Sequence, residues 1–216
     1  MNELNSAETS ARLPGPAPGY DLSTMATIET PTDSPEYCAP LREALRGAAS
    51  ALKEHGPRFA LAGSYALWAY GAPEPCHDVD LVVAESDVAG AENTLRDAGF
   101  SVEHPPEDWL FKARTGDTVV DVLYRVNGVS VDQATLDSAE QRDVLAIGMP
   151  VLPPTTVLIQ KLRSLGEHHC DFAKLLPAVR AIRELVDWEL VSAKTADNDY
   201  AVAFLVLVQR LGITAQ

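Results

Sequence analysis

The sequence predicts an α/β (α+β) fold, in which residues 37–150 form a domain with a small mixed sheet and residues 151–216 form a C-terminal helical region. Segments with helical and strand-like periodicity alternate through the first region. Through most of the second region, apolar residues recur at helical spacing. Residues 1–36 are rich in proline, serine and threonine and poor in large apolar groups, which predicts a flexible N-terminal tail.

The predicted order within residues 37–150 is helix, strand, helix, strand, helix, strand, strand. Apolar residues from Leu41 recur at three- and four-residue intervals and stop before Gly56, which predicts the first helix. Two more helices, each ended by a glycine, are predicted at 64–70 and 86–98. Segments rich in β-branched residues predict strands at 58–62, 77–85, 108–115 and 118–126. Gly116 and Asp117 separate the last two strands and predict a hairpin turn.

The formal net charge of −14 is unevenly distributed along the chain. Residues 1–150 hold 10 basic and 24 acidic residues, whereas residues 151–216 hold 7 of each. Because an acidic protein repels nucleic acid on average, an RNA partner would need a local basic cluster. Such a cluster could consist of Lys161, Arg163, Lys174, Arg180 and Arg183. A solvated helix face explains the same residues equally well.

The sequence indicates a cytoplasmic protein without a membrane partner. No segment approaches the roughly 18 consecutive apolar residues of a membrane helix, and the N-terminus lacks the features of a secretory signal. The cysteines, Cys38, Cys76 and Cys170, are odd in number and widely spaced. This pattern predicts reduced thiols, and it fits neither a disulfide framework nor a structural zinc site.

Two aspartates, Asp78 and Asp80, interrupt the apolar segment that predicts the second strand. Residues two apart on a strand point to the same face, about 6.6 Å apart, so both carboxylates can reach one metal ion. Two unpaired carboxylates in an apolar strand repel each other unless a pKa rises, a basic group pairs with them or a cation binds. Mg²⁺ is the natural candidate, because it prefers oxygen ligands and is commonly held by one or two carboxylates and substrate phosphates.

The dipeptide Gly63–Ser64 follows the first strand and opens the next helix. Glycine permits close approach of the backbone, and the serine hydroxyl and free amides can bind phosphate oxygens. The dipeptide and the two aspartates together, in strand–helix–strand order, predict a phosphate site beside a metal site. An acidic edge strand is the competing interpretation of the aspartates.

A third acid, Asp121, interrupts the apolar strand at 118–126. If its strand neighbours the strand of Asp78 and Asp80, the three acids could hold two cations, with Asp121 placed to deprotonate an attacking hydroxyl. A structural ion pair with Arg125 or Lys112 is the alternative.

These motifs resemble those of the polymerase-beta-like nucleotidyltransferase superfamily. Within it, "ALAGSYALWAYGAPEPCHDVDLVV" and "VLPPTTVLIQKLRSLGEHHCDFAKLL" are similar to the AbiEii-type nucleotidyltransferases, which include the MenT toxins. The resemblance implies that Lys161 and Asp171 complete the site, with the lysine neutralising the triphosphate and Asp121 or Asp171 acting on the acceptor. By itself, Lys161 is typical of a surface lysine, and Asp171 is typical of a helix cap. This sequence departs from the family pattern at Cys76, where the family often has threonine or serine.

The resemblance implies Mg²⁺-dependent transfer of a nucleoside monophosphate from an NTP to an acceptor hydroxyl, with release of pyrophosphate. The implied acceptor is the 3′ end of tRNA, in a toxin–antitoxin system with a cognate antitoxin protein as partner. The acidic surface favours a second hypothesis, in which the acceptor is an aminoglycoside-like small molecule or a partner protein. A third hypothesis is a catalytically silent interaction module that has kept the acids as relics of the fold.

Overall fold

The computed structural model describes residues 35–214, so the predicted tail lies almost entirely outside the described residues. Nine strands occur in the described range: β1 (Phe59–Leu61), β2 (Val79–Val83), β3 (Ser101–Glu103), β4 (Leu110–Thr115), β5 (Thr118–Leu123), β6 (Arg125–Val126), β7 (Val129–Ser130), β8 (Glu140–Val144) and β9 (Ile147–Val151). Eight α-helices accompany them there: α1 (Pro35–His55), α2 (Gly63–Ala69), α3 (Val88–Asp97), α4 (Gln133–Asp137), α5 (Pro154–Arg163), α6 (Phe172–Ile182), α7 (Trp188–Lys194) and α8 (Asp199–Arg210).

Seven of the strands form one mixed sheet in the order β3-β4-β5-β2-β1-β9-β8. The pairs β2–β5 and β1–β9 are parallel, and the other neighbours are antiparallel. The predicted α/β class, with its mixed sheet and C-terminal helices, is therefore confirmed. The division at residue 150 into two domains stays a prediction. In the described range, no helix is both long and apolar enough to cross a bilayer.

The register of the sheet places the predicted acids side by side. Asp80 on β2 is the direct neighbour of Asp121 on the parallel strand β5. Asp121 is in turn the cross-strand partner of Lys112 on β4. Because directly paired residues point to the same face, these three side chains form a row across the sheet.

Helices on both faces hold the sheet in place. On one side, α1 packs against β5, β9 and α3. The β2 residues that alternate with Asp80 (Val79, Leu81 and Val83) are completely buried in the core. The helix α2 packs against β2, and α5 and α6 pack against α2. The C-terminal helices therefore lie next to the Gly63–Ser64 turn, although they come about a hundred residues later in the chain.

Cys38 and Cys76 form a disulfide, and Cys170 is a free, exposed cysteine. The prediction of three reduced thiols was therefore wrong for two of them. Cys38 lies on α1 and Cys76 in the loop before β2, and the fold brings their Cα atoms to 5.0 Å despite a separation of 38 residues. The Arg42–Glu74 ion pair joins the same two segments. Distance along the chain could not reveal this proximity.

Replacing Cys38 with serine is expected to lower the free energy of unfolding by about 2–4 kcal/mol, because the cross-link restricts the unfolded chain over a loop of this length. Chemical denaturation without reductant measures the loss. Cys170→Ser is the matched control and should stay within about 0.5 kcal/mol of the parent protein, as an exposed site does. Equal effects of the two substitutions would contradict the disulfide.

Candidate active site

Gly63 and Asp80 are in direct contact where β1 turns into α2. The φ angle of Gly63 is +59°, in the left-handed region that favours glycine. A Cβ atom at this position would lie 1.8 Å from Oδ2 of Asp80. The backbone amide of Ala62 also donates a hydrogen bond of 2.9 Å to the carbonyl of Asp80. The absence of a side chain at Gly63 is thus what allows the carboxylate to lie against the turn.

Lys161 connects the C-terminal helices to this turn. Its Nζ atom donates a hydrogen bond of 3.0 Å to Oγ of Ser64. Lys161 is half-buried on α5, and burial lowers the pKa of its ammonium group, whereas the charges of Asp80 and Asp78 raise it. The structure therefore brings the lysine together with the dipeptide and the two aspartates, as the sequence comparison with the superfamily implied.

Asp80 carries the strongest electrostatic perturbation of the acids in the site. Burial raises the pKa of its carboxyl group to about 6, against the opposing effect of the Lys161 charge. The charges of Asp121 and Asp78 raise the pKa further. Within residues 35–214, no group donates a hydrogen bond to this carboxylate. A half-buried carboxylate without a hydrogen-bond donor favours a cation as its partner, because it is costly to remove a charge from water.

Asp78 lies immediately before β2 rather than on it, and its side chain is 75% exposed. Nδ1 of His77 lies 3.7 Å from Oδ2 of Asp78, and this contact holds the pKa of Asp78 below its usual range. The carboxyl group of Asp78 is therefore ionised more readily than that of Asp80. The pair combines one exposed, readily charged carboxylate with one half-buried carboxylate.

Asp121 is engaged by a basic partner. Nζ of Lys112 donates a hydrogen bond of 2.9 Å to Oδ1 of Asp121. Of the two structural partners that the sequence left open, the lysine is the one observed, because Arg125 instead pairs with Glu85 and Asp108. The geometry places Asp121 next to Asp80, with one carboxylate oxygen committed to Lys112.

Asp171 occupies the N-cap of α6. Its side chain accepts a hydrogen bond of 3.3 Å from the backbone amide of Lys174 and lies 3.4 Å from Nζ of the same lysine. It lines neither of the cavities described below. The structure brings the other predicted residues together but leaves Asp171 at this cap, and its catalytic role stays a prediction.

A cavity of about 800 Å³, the main cavity, opens from Asp80 and Lys161. Its floor is the sheet face of Asp80, continued by Val82 and Leu123, and its roof is the face of α5 that carries Val157 and Lys161. Sequence reasoning did not find several further lining residues, among them Trp109, Arg125, Gln160 and His169. The face of α5 was the signal for Gln160, since residues three and four apart share one helix face. Trp109, Arg125 and His169 lie on other segments, and only the fold brings them to the cavity.

A smaller cavity of about 360 Å³, the side cavity, lies on the other flank of the Ser64–Lys161 pair. The loop of Cys76 and His77 forms one wall, and Lys174 of α6 lies on the opposite wall. The hydrogen-bonded pair of Ser64 and Lys161 therefore stands between two open spaces.

The residues present fit a divalent cation held jointly with a ligand. Asp78 and Asp80 offer oxygen donors, and Asp80 is an acid whose burial calls for a positive partner. Within the described part of the chain, no group of three or more histidine, cysteine, aspartate or glutamate side chains is arranged to hold a metal ion. Two carboxylates suit Mg²⁺, which takes its remaining ligands from water and phosphates.

Replacing Gly63 with alanine is expected to cost more than about 2 kcal/mol of stability and most of the activity, because the new Cβ must displace Asp80. Gly116 provides a matched control. Its φ angle is +56°, and no atom lies within 4 Å of a Cβ built there. Gly116→Ala should therefore show the backbone strain alone. Denaturation and activity assays separate the effects, and equal activity losses in the two variants would contradict the Gly63–Asp80 contact.

A family described as "Nucleotidyl transferase of unknown function (DUF2204)" matches residues 41–199. This match spans most of the chain, and the protein belongs to this family. It is therefore an enzyme of the nucleotidyltransferase class. No curated protein matches the sequence.

Two solved structures of the antibiotic-resistance factor ANT(2″)-Ia are similar in fold. The solution structure is 15% identical, with a TM-score of 0.54, and the match covers 81% of this chain and 98% of that one. The crystal structure with adenylyl-2″-tobramycin is 14% identical, with a TM-score of 0.51, and the match covers 80% and 99%. The fold is thus that of the polymerase-beta-like nucleotidyltransferases, while membership of the AbiEii type stays a prediction.

Proposed function

We propose that the protein transfers a nucleoside monophosphate from an NTP to the hydroxyl group of an acceptor, with Mg²⁺ bound at Asp78 and Asp80. One observation carries the proposal: a half-buried carboxylate, Asp80, without a hydrogen-bond donor faces a cavity that it shares with a half-buried lysine, Lys161. The carboxylate of Asp80 can bind the metal ion, and the ammonium group of Lys161 can bind the phosphates of the same ligand.

The reaction balances as an in-line displacement at the α-phosphorus. The acceptor oxygen forms a bond to phosphorus, the bond from phosphorus to the bridging oxygen breaks, and pyrophosphate leaves with that electron pair. Lys161 and Ser64 hold the leaving phosphates, and Asp121 takes the proton of the acceptor hydroxyl on the oxygen that Lys112 does not occupy. When bound, Mg²⁺ polarises the phosphate oxygens and neutralises charge on the leaving group.

The order of the strands supports this assignment. The turn of Ser64 follows β1, Asp80 lies on β2, and Asp121 lies on β5, and these three strands are consecutive neighbours in the sheet. Ser64, which would bind the phosphates, and then Asp80 and Asp121 therefore follow one another across the sheet in one direction. In-line displacement requires the attacking and leaving oxygens on opposite sides of phosphorus.

The charge of the protein favours a small cationic acceptor. Of the five basic residues that could form an RNA site, three are paired with acids: Arg163 with Asp197, Lys174 with Asp171, and Arg183 with Glu184. Positive charge that is neutralised locally attracts a polyanion weakly. ANT(2″)-Ia, which shares the fold, is described with adenylyl-2″-tobramycin, a nucleotidylated aminoglycoside.

The second candidate is the 3′ end of tRNA, in a growth-inhibiting toxin restrained by an antitoxin protein. Its support is the set of motifs shared with the AbiEii-type enzymes, of which Gly63, Ser64, Asp80 and Lys161 lie together. A catalytically silent module is disfavoured by the same cluster, because a site without function has no reason to retain a half-buried acid whose charge is costly.

Incubation of the full chain with Mg²⁺ and each of four α-labelled NTPs tests the proposal. Parallel reactions contain an aminoglycoside panel or total tRNA. Labelled small molecule supports the first acceptor, labelled tRNA supports the second, and in either case Asp80→Asn should remove the label. Transfer to neither acceptor, together with no pyrophosphate release from any NTP, would overturn the proposal.

A further inference from the structure

We propose that Gln160 reads the base of the NTP, in an inference that rests on the proposed function and assigns a specificity residue to it. The roof of the main cavity is one face of α5, where Val157, Gln160, Lys161 and Ser164 all line the cavity. If Lys161 holds the phosphates at one end, the nucleoside must extend into the space that adjoins them. Gln160 is the residue next to Lys161 on this face, and its polar side chain lines the same cavity.

The size of the main cavity fits a nucleoside. Its volume of about 800 Å³ lies within the range of roughly 300–1,000 Å³ that is typical of small-molecule sites, whereas the side cavity of about 360 Å³ lies near the lower limit. Val82 and Leu123 on the floor and Val157 on the roof give the cavity apolar surface. A planar, largely apolar ring with a polar edge matches such a space.

Most polar groups of the main cavity are already engaged with each other. Arg125 binds Glu85 and Asp108, and Ser130 donates a hydrogen bond to the same glutamate. Ser164 donates to the carbonyl of Lys161. Within the described residues, the side-chain amide of Gln160 has no hydrogen-bond partner, whereas its backbone carbonyl accepts from Asn127 and from the amide of Ser164. This amide is therefore free to bond to a ligand.

The β6–β7 hairpin holds the backbone around Gln160 in place. The β6–β7 hairpin turns at Asn127 and Gly128, both with positive φ angles of 51° and 77°, as a tight hairpin turn requires. The side-chain amide of Asn127 donates a hydrogen bond of 3.0 Å to the backbone carbonyl of Gln160. The hairpin thus braces α5 at the residue that would contact the base, which reduces the entropy lost on binding.

A glutamine amide presents one donor and one acceptor side by side and can pair with two atoms of a base edge. One such pair is worth a discrimination of about 5- to 150-fold between bases. Dissociation constants of the full chain for the four NTPs, measured with Mg²⁺ and without acceptor, should therefore differ by at least about fivefold between the tightest and the weakest.

Two variants of Gln160 test the assignment. Gln160→Ala should reduce the spread between the four NTPs to about twofold. Gln160→Glu keeps the size but removes the donor, and it should shift the preference towards bases that present an exocyclic amino group. Gln209→Ala, an exposed position on α8 outside the cavity, is the matched control and should leave the spread unchanged. Thermal melting verifies that each variant folds.

The outcomes separate this inference from the proposed function. Selective NTP binding that Gln160→Ala abolishes supports the inference even if no acceptor is ever labelled, in which case the proposed transfer alone fails. If both variants keep the parent's spread of dissociation constants for the four NTPs but have an altered KM for the acceptor, the cavity holds the acceptor. This result would overturn the assignment of Gln160 to the base. Equal binding of all four NTPs, or no binding of any, would overturn it as well.

Discussion

Replacing Asp80 with asparagine is expected to lower nucleotidyl transfer by at least about 10³-fold and to make the metal-free protein more stable at neutral pH. The loss of activity follows from the loss of a metal ligand and of the negative charge that opposes Lys161. The gain in stability follows from the burial that raises the pKa of Asp80 from 3.8 to about 6. An asparagine occupies the same space without the cost of a buried charge.

The pH dependence of this gain has a definite sign. Because the folded-state pKa is the higher one, the folded protein binds the proton of Asp80 more tightly than the unfolded chain does. The contribution of Asp80 to stability is therefore fully present below about pH 4 and is lost as the pH rises through about 6. A shift of about two units corresponds to up to about 3 kcal/mol. Asp80→Asn should be close to neutral at pH 4 and stabilising by that amount at pH 8.

Urea denaturation of the parent protein and of Asp80→Asn between pH 4 and pH 8, with a chelator present, measures the difference. Asp78→Asn is the matched control. Its carboxylate is exposed and has a lowered pKa, so its removal should bring no gain in stability at high pH. Added Mg²⁺ should stabilise the parent protein but not Asp80→Asn. A pH-independent difference would show that Asp80 is not buried as a charge.

The part of the site that the sequence predicts is the part built from local neighbours. Gly63 and Ser64 directly follow the short strand β1, and Asp80 lies on β2, which pairs with β1. Apolar periodicity was therefore enough to place the dipeptide and the aspartate. Asp78 differs by one position, since it precedes the strand rather than belonging to it. Adding Lys161 required a family comparison, because nothing local distinguishes a lysine on α5 that points inward.

The rest depends on contacts that no local pattern encodes. The strands β3, β8 and β9 were not predicted, because they are short or carry charged residues and are stabilised by their partners in the sheet. Lys112 could be proposed as a partner of Asp121 but not chosen over Arg125, since that choice depends on strand register. The pairing of Cys38 with Cys76 and the main cavity likewise arise only once distant segments meet.

Replacing Lys161 with methionine is expected to lower kcat by about 10²–10³-fold, the usual effect of removing one group that stabilises developing charge. Methionine keeps the length and most of the apolar stem, so α5 should stay in place. KM for the NTP should change less than kcat, because the charge on the leaving phosphates grows as the bond breaks. Lys194→Met, on the exposed surface of α7, is the control and should leave both constants unchanged.

The same variant has a second readout in the pH–rate profile. The charge of Lys161 is the largest influence that lowers the pKa of Asp80, and its removal should raise that pKa above about 6. The acidic limb of the profile for kcat/KM should then move to higher pH, while Lys194→Met should not move it. A lysine that only bound substrate from a distance would raise KM and leave the acidic limb in place. A shifted limb together with a reduced kcat would therefore identify Lys161 as the charge that both holds the leaving phosphates and keeps Asp80 ionised.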